Sequence, residues 1–163
     1  KRSNNFCKRL FLLTGSQQHE DAHRFDPKMC RCRTQRKMEL KGKAVFNGKV
    51  KGEALVTKDQ ISFYGGIDPE KGTVTEKEHD LEGQSFVGKI LVFPSGKGST
   101  VGSYGLYRLK DNNVAPRGMI NQDCETIVAV GAIISEIQMV NKIDISKIKT
   151  GDMIEIDGDK VKI

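Results

Sequence analysis

The sequence predicts a mixed α/β domain, and three observations predict it. Residues 38–163 contain recurrent apolar runs of strand length, several of them alternating apolar with polar positions. Two longer segments, residues 99–110 and 125–135, lie between these runs and have the length of helices. Glycines, the Asn47-Gly48 pair and Pro94 punctuate the chain where an extended run must turn or stop.

Taken in order, residues 43–57, KAVFNGKVKGEALVT, alternate apolar and polar side chains and are interrupted at Asn47-Gly48 and Gly52, so strands joined by tight turns are expected. Ile61-Ser62-Phe63-Tyr64 predicts another short strand, followed by a polar loop over 70–83. Residues 88–93 form a buried-type strand that Pro94 ends, since proline has no N–H to give a sheet ladder. A helix is expected over 99–110, with Val101, Tyr104, Leu106 and Leu109 for packing. Residues 118–121 make a brief strand. Residues 125–135, ETIVAVGAIIS, are apolar almost throughout, so periodicity alone does not separate helix from strand; length and Asp123 as a cap favour helix. Residues 137–140 form a strand, and 152–163 a terminal hairpin around Gly158. No internal repeat or low-complexity tract is present in this body.

Charge divides the chain. The formal net charge is +6, yet residues 1–37 hold ten Lys/Arg against three Asp/Glu, while residues 38–163 hold 17 against 18. Residues 1–37 are polar and aperiodic, and are expected to be a disordered basic extension of the 38–163 domain. The extension has no aromatic platform and no nucleic-acid motif, so no nucleic-acid partner is expected. Its apolar run, Leu10 to Leu13, is too short for a signal peptide, and no stretch reaches membrane-span length, so no membrane partner is expected. Cys7, Cys30 and Cys32 lie in the extension and Cys124 in the body, which suggests no disulfide framework and a cytoplasmic setting. Cys30-Arg31-Cys32 with His19 and His23 matches no common zinc spacing, and a body with one cysteine holds no iron–sulfur cluster by itself.

The chemistry concentrates in LVFPSGKGSTVGS, residues 91–103. A strand, a proline stop, a glycine-rich loop and a helix start place the hydroxyl of Ser99 beside free backbone N–H groups at the positive end of a helix dipole, where an anion is stabilised. The loop is not a nucleotide P-loop: Lys97 is followed by Gly98, and the upstream glycine is missing. A glycine-rich strand-to-helix turn with solvated side chains accounts for the same pattern. SFYGGIDP, residues 62–69, sets Gly65, Gly66 and Asp68 after a strand, where paired glycines allow close backbone approach and an ordinary Asp-Pro turn is the alternative. Asn121 ends a strand just before a helix, as a site residue or as an Asx cap. Ser103 reads as a helix-entry residue rather than a second base.

Taken together, GEALVTKDQISFYGGIDPEKG, LEGQSFVGKILVFPSGKGSTVGS and APRGMINQDCETIVAVGAIIS resemble the free-standing swivelling domain of the archaeal aconitase X dehydratases, in order and over nearly all of 38–163. The resemblance implies a swivelling β/β/α fold that docks on a large catalytic subunit carrying a 4Fe–4S cluster. It implies dehydration of (R)-5-phosphomevalonate to trans-anhydromevalonate 5-phosphate, with Ser99 as the proton acceptor. In that chemistry the iron takes the C3 hydroxyl as a Lewis acid and the weakly acidic C2 proton requires a placed base. A neutral serine is a feeble base, so its alkoxide needs cationic and N–H support. Lys97 and the backbone from Gly98 through Thr100 to Val101 are the candidates. Aconitases proper place an arginine shortly after the base serine; here Thr100 and Val101 stand there, which leaves that charge to Lys97 or to the large subunit. Gly65, Gly66, Asp68, Gly98 and Thr100 are the candidate substrate-binding residues for a phosphorylated hydroxy acid. Two alternatives stay open: a non-catalytic module that binds a phosphorylated ligand, and a subunit of a dehydratase for another hydroxy acid. A phosphohistidine carrier is disfavoured, because His79, the one histidine of the body, lies outside the glycine-rich loop.

Overall fold

Residues 38–163 are described by the computed structural model, and the expectation for residues 1–37 lies outside the described residues. Alternating and apolar runs give β1 (Glu39–Lys41), β2 (Lys43–Phe46), β3 (Lys49–Val56), the short pair β4 (Ile67–Asp68) and β5 (Thr73–Val74), and β6 (Ile90–Phe93). Then come α1 (Gly102–Asp111), β7 (Gly118–Asn121), α2 (Thr126–Ile134), β8 (Gln138–Asn141), β9 (Met153–Asp157) and β10 (Lys160–Lys162). Eight strands form one sheet in the order β1-β10-β9-β3-β6-β7-β8-β2. The β3-β6, β6-β7 and β7-β8 pairs are parallel and the others antiparallel.

Parallel strands need covered faces, and these have them. Successive residues of β6 point to opposite sides. Leu91 and Phe93, with Met119 of β7 and Met139 of β8, join a core with Leu106 and Leu109 of α1 and Val128 and Ala132 of α2. Ile90 and Val92, with Ile120 and Val140, join a second core with Ile154 and Ile156 of β9 and Val161 of β10. The result is three layers, β/β/α, as the resemblance implies. Strand β3 links the two β layers: residues 49–53 pair with β9, and Ala54–Val56 run parallel to β6.

Several expectations are corrected. Asn47-Gly48 does not close a hairpin. It connects β2, at one end of the sheet, to β3 in its middle, and Gly48 lies against Gln138 while its carbonyl accepts the Gly158 N–H at 3.1 Å. The sheet therefore curls back towards itself around the second core. Gly52 does not interrupt β3; a side chain there would press on Ile90 at 3.3 Å, next to the point where β3 changes partner. The strand expected over 61–64 reduces to one bridge, Ile61 with Gly96, because Ser62 Oγ donates to the Tyr64 carbonyl at 2.8 Å and Gly65 takes φ +84°, which turns the chain. The loop over 70–83 contains β5. Helix α1 starts at Gly102 rather than Ser99. Helix α2 has Glu125, not Asp123, at its N-cap position, with no side-chain cap bond.

Helix α1 lies on the turn that follows Ile61, and Gly105 makes that approach possible: a Cβ there would collide with the Phe63 carbonyl oxygen. Gly105→Ala is expected to cost about 1–3 kcal/mol, the usual penalty for overpacking, measured by chemical denaturation of the full chain. An unchanged midpoint would contradict this packing.

Candidate functional site

The C-terminal ends of β3, β6 and β7 share one edge of the sheet, and the loops that leave them are bound to one another. Pro94 ends β6, and its carbonyl accepts the N–H groups of Gln122 (3.1 Å) and Asp123 (2.9 Å), just beyond β7. The backbone after Pro94 then runs beside the segment after β3: Gly96 bridges Ile61, the Lys97 N–H donates to the Ile61 carbonyl at 2.9 Å, and Gln60 Nε2 donates to Ser95 Oγ at 2.7 Å.

Beyond these ties the chain is released towards solvent. Gly98 has φ +112°, a conformation that disfavours any side chain, and a Cβ there would lie 3.2 Å from Ser62 Oγ. Ser99 follows, exposed, and its Oγ accepts the Val101 N–H at 3.4 Å while its carbonyl accepts the Gly102 N–H at 2.9 Å. The helix begins only after this turn, which explains why the expected start at Ser99 is three residues early. Thr100 is exposed, and its carbonyl accepts the Ser103 hydroxyl at 3.2 Å, so Ser103 serves the helix entry.

Lys97 is held by a residue that sequence inspection passes over. Its Nζ lies 2.5 Å from Glu76 Oε1, with the two side chains 41% and 26% exposed. Glu76 comes from the turn after β5, and its N–H, like that of Thr75, donates to the Gly66 carbonyl. The second carboxylate oxygen, Oε2, is buried without a hydrogen-bond partner among the described residues, 3.0 Å from where a Cβ of Gly66 would stand. Gly66 is thus required to make room for Glu76 and for the Ser62 carbonyl. The only advance signal for Glu76 is a lone acid in a polar stretch.

The structure therefore brings Gly66 and Gly98 against Ser62 and Lys97 against Glu76, with Ser99 next along the loop and Gly65 on the adjoining turn. Asp68 stands apart. Its Oδ1 accepts the N–H groups of Glu70 (2.9 Å) and Lys71 (3.2 Å), which closes the β4–β5 turn. Asn121 is fully buried, and its Nδ2 donates to the Asp123 carbonyl at 3.0 Å, fixing the connection from β7 to α2. His79 is buried in the loop before β6, where Nδ1 accepts the Leu81 N–H at 3.1 Å and lies 3.4 Å from Asp80 Oδ1. Asp59 and Asp80 beside it accept from the backbone N–H groups of Asp80 and Lys58, so this cluster spends its acceptors on holding the loop. Burial pushes the half-buried Cys124 thiol above its ordinary range; the Glu125 charge adds to this and a hydrogen bond with Asn121 opposes it. A thiol so held is a poor nucleophile and a poor metal ligand. Among the described residues it is the single cysteine, and one cysteine does not fit an iron–sulfur cluster held by residues 38–163 alone. No helix of the described residues is long and apolar enough to cross a membrane.

Known proteins are similar to this chain in sequence and fold. The phosphomevalonate dehydratase small subunit of Thermococcus kodakarensis is 55% identical over 126 residues, covering 77% of this chain and 95% of that one. The protein of the same name from Methanocella arvoryzae is 53% identical over 124 residues, covering 74% and 94%. The crystal structure of Thermococcus kodakaraensis aconitase X in its holo-form superposes with a TM-score of 0.76 at 54% identity, covering 77% of this chain and 98% of that one. The family described as the aconitase X swivel domain matches residues 39–163, and the chain belongs to that family.

Proposed function

We propose that this chain is the small subunit of a heteromeric hydro-lyase that dehydrates (R)-5-phosphomevalonate to trans-anhydromevalonate 5-phosphate. The observation that carries the reading is the exposed Ser99 hydroxyl, presented by a loop that is anchored to two neighbouring segments, on a chain whose relatives are named dehydratase small subunits. In the reaction the C2–H bond breaks, its proton passes to the Ser99 Oγ alkoxide, the C2–C3 double bond forms and the C3 hydroxyl departs as hydroxide; return of the proton from Ser99 to that hydroxide gives water and restores the base. A 4Fe–4S cluster, assigned to the large subunit because the described residues hold a single cysteine, would supply Lewis-acid chemistry at that hydroxyl.

The residues of this chain account for the base. The Val101 N–H already donates to Ser99 Oγ and favours its anionic form. The N-terminus of α1 adds a positive partial charge at the same place. Lys97, two residues before Ser99, supplies a cation whose position Glu76 fixes, and because Glu76 also offsets that charge, any further stabilisation comes from the large subunit. Gly65, Gly66, Gly98 and Thr100 offer backbone groups to the bound acid. Asp68, engaged in its own turn, acts by shaping the segment that carries Gly66.

Ser99→Ala is expected to leave the complex assembled and substrate bound while lowering kcat by at least about 100-fold, the lower range for general-base loss. Substantial turnover by the assembled variant would overturn the assignment, and a chain that binds phosphorylated ligand alone, unaffected by Ser99→Ala, would favour the non-catalytic module. Gly98→Ala is expected to strain the loop by about 1–3 kcal/mol and to lower kcat more than it raises KM, because it displaces the base rather than the binding groups; an unaltered kcat would show that the loop geometry is not required.

A further inference from the structure

We propose that the groove between Tyr64 and α1 is the seat of the large subunit, and that the partner fills it with an apolar side chain next to a carboxylate. This rests on the functional reading above. The groove has a volume of about 530 Å³, and its walls include Phe63, Tyr64, Pro69, Val101, Tyr104 and Arg108. Gly105 brings α1 down onto the Phe63 backbone and so forms the floor. Tyr64 is 59% exposed, Tyr104 57% and Val101 39%, and Tyr104 stacks on Tyr107 with ring centroids 6.4 Å apart. Large amphipathic rings that stand in water around a cleft match the anchors of protein interfaces, where tyrosine and arginine dominate.

Charge and position select the occupant. Lys97 and Lys110 are paired with Glu76 and Glu136, whereas the Arg108 guanidinium has no carboxylate within 4.0 Å among the described residues. An aspartate or glutamate of the partner would complete it, with the bidentate geometry that arginine favours. Val101, two residues after Ser99, lines the groove, so the groove adjoins the loop that a subunit supplying the rest of the active site has to meet. A second copy of this chain is a poor occupant: a twofold contact centred here would set Arg108 against its own copy.

The test uses the full chain, its anaerobically prepared, cluster-loaded large subunit, and the variants Tyr104→Ser and Arg108→Glu, both on exposed positions that leave the cores intact. Calorimetric titration is expected to show each variant binding the large subunit at least about tenfold more weakly, with a smaller salt dependence for Arg108→Glu. Saturating large subunit is expected to restore the parent's kcat and its KM for (R)-5-phosphomevalonate. Unchanged affinity in both variants would overturn the proposal, while turnover by the parent mixture would leave the functional reading standing. A raised KM with unchanged subunit affinity would make the groove a phosphate subsite and overturn it too. Self-association of the parent that Tyr104→Ser abolishes, without effect on large-subunit affinity, would assign the groove to a second copy. A parent complex without turnover would sink the reaction, but the variants would still decide the groove; no parent complex would sink both.

Discussion

Strand β6 is buried at every residue and on both faces, and the rest of the molecule is arranged by that fact. Ile90 and Val92 belong to one core and Leu91 and Phe93 to the other, so the strand can neither slide nor rotate without opening both. Whatever follows Phe93 starts from a fixed point. Pro94 ends the ladder there and hands its carbonyl to the segment after β7, and Gly96 and Lys97 pair with the segment after β3. A rigid origin and two lateral ties make a short loop into a positioned one, at the sheet edge where open α/β folds place their ligands.

The freedom left to the loop is confined to a few residues. Gly98, at positive φ, turns the backbone so that Ser99 faces water instead of continuing the α1 helix. The turn closes on the Gly102 N–H, and only then does the helix run. Glu76 adds a contact from the far side of the site, taking up Lys97 while resting in the space that Gly66 leaves. The glycines of this region thus have distinct tasks: Gly98 and Gly65 supply backbone conformations, Gly66 and Gly105 supply room.

Much of this was legible in the sequence because it depends on local physics. A proline after an apolar run ends a strand, a glycine-rich segment before amphipathic spacing makes a strand-to-helix loop, and an apolar eleven-residue run is too long for a typical strand. The family, and with it the three-layer fold, was legible from the order of three long segments. What failed was non-local. That β2 and β3 do not pair although two residues separate them follows from the curl of the whole sheet. The Glu76–Lys97 pair joins residues 21 positions apart through a turn without periodicity, so nothing near either residue announces it. The helix start was misplaced because the spacing of packing residues locates a helical face and not its first residue; the Ser99 carbonyl closes a turn on the Gly102 N–H, and the cap position falls to Val101, which makes no side-chain bond. For Asp68 the sequence left open a ligand role or an ordinary Asp-Pro turn, and the two N–H groups it accepts belong to its own turn, a geometry that composition does not separate from an open carboxylate.

The central claim is that this chain supplies the base, but not the whole active site, of a two-chain dehydratase. The most direct measurement is (R)-5-phosphomevalonate dehydration by this chain, by an anaerobically prepared cluster-loaded large subunit, and by the two mixed. The account predicts trans-anhydromevalonate 5-phosphate from the mixture and none above background from either chain alone. Turnover by the large subunit alone at the rate of the mixture would contradict it.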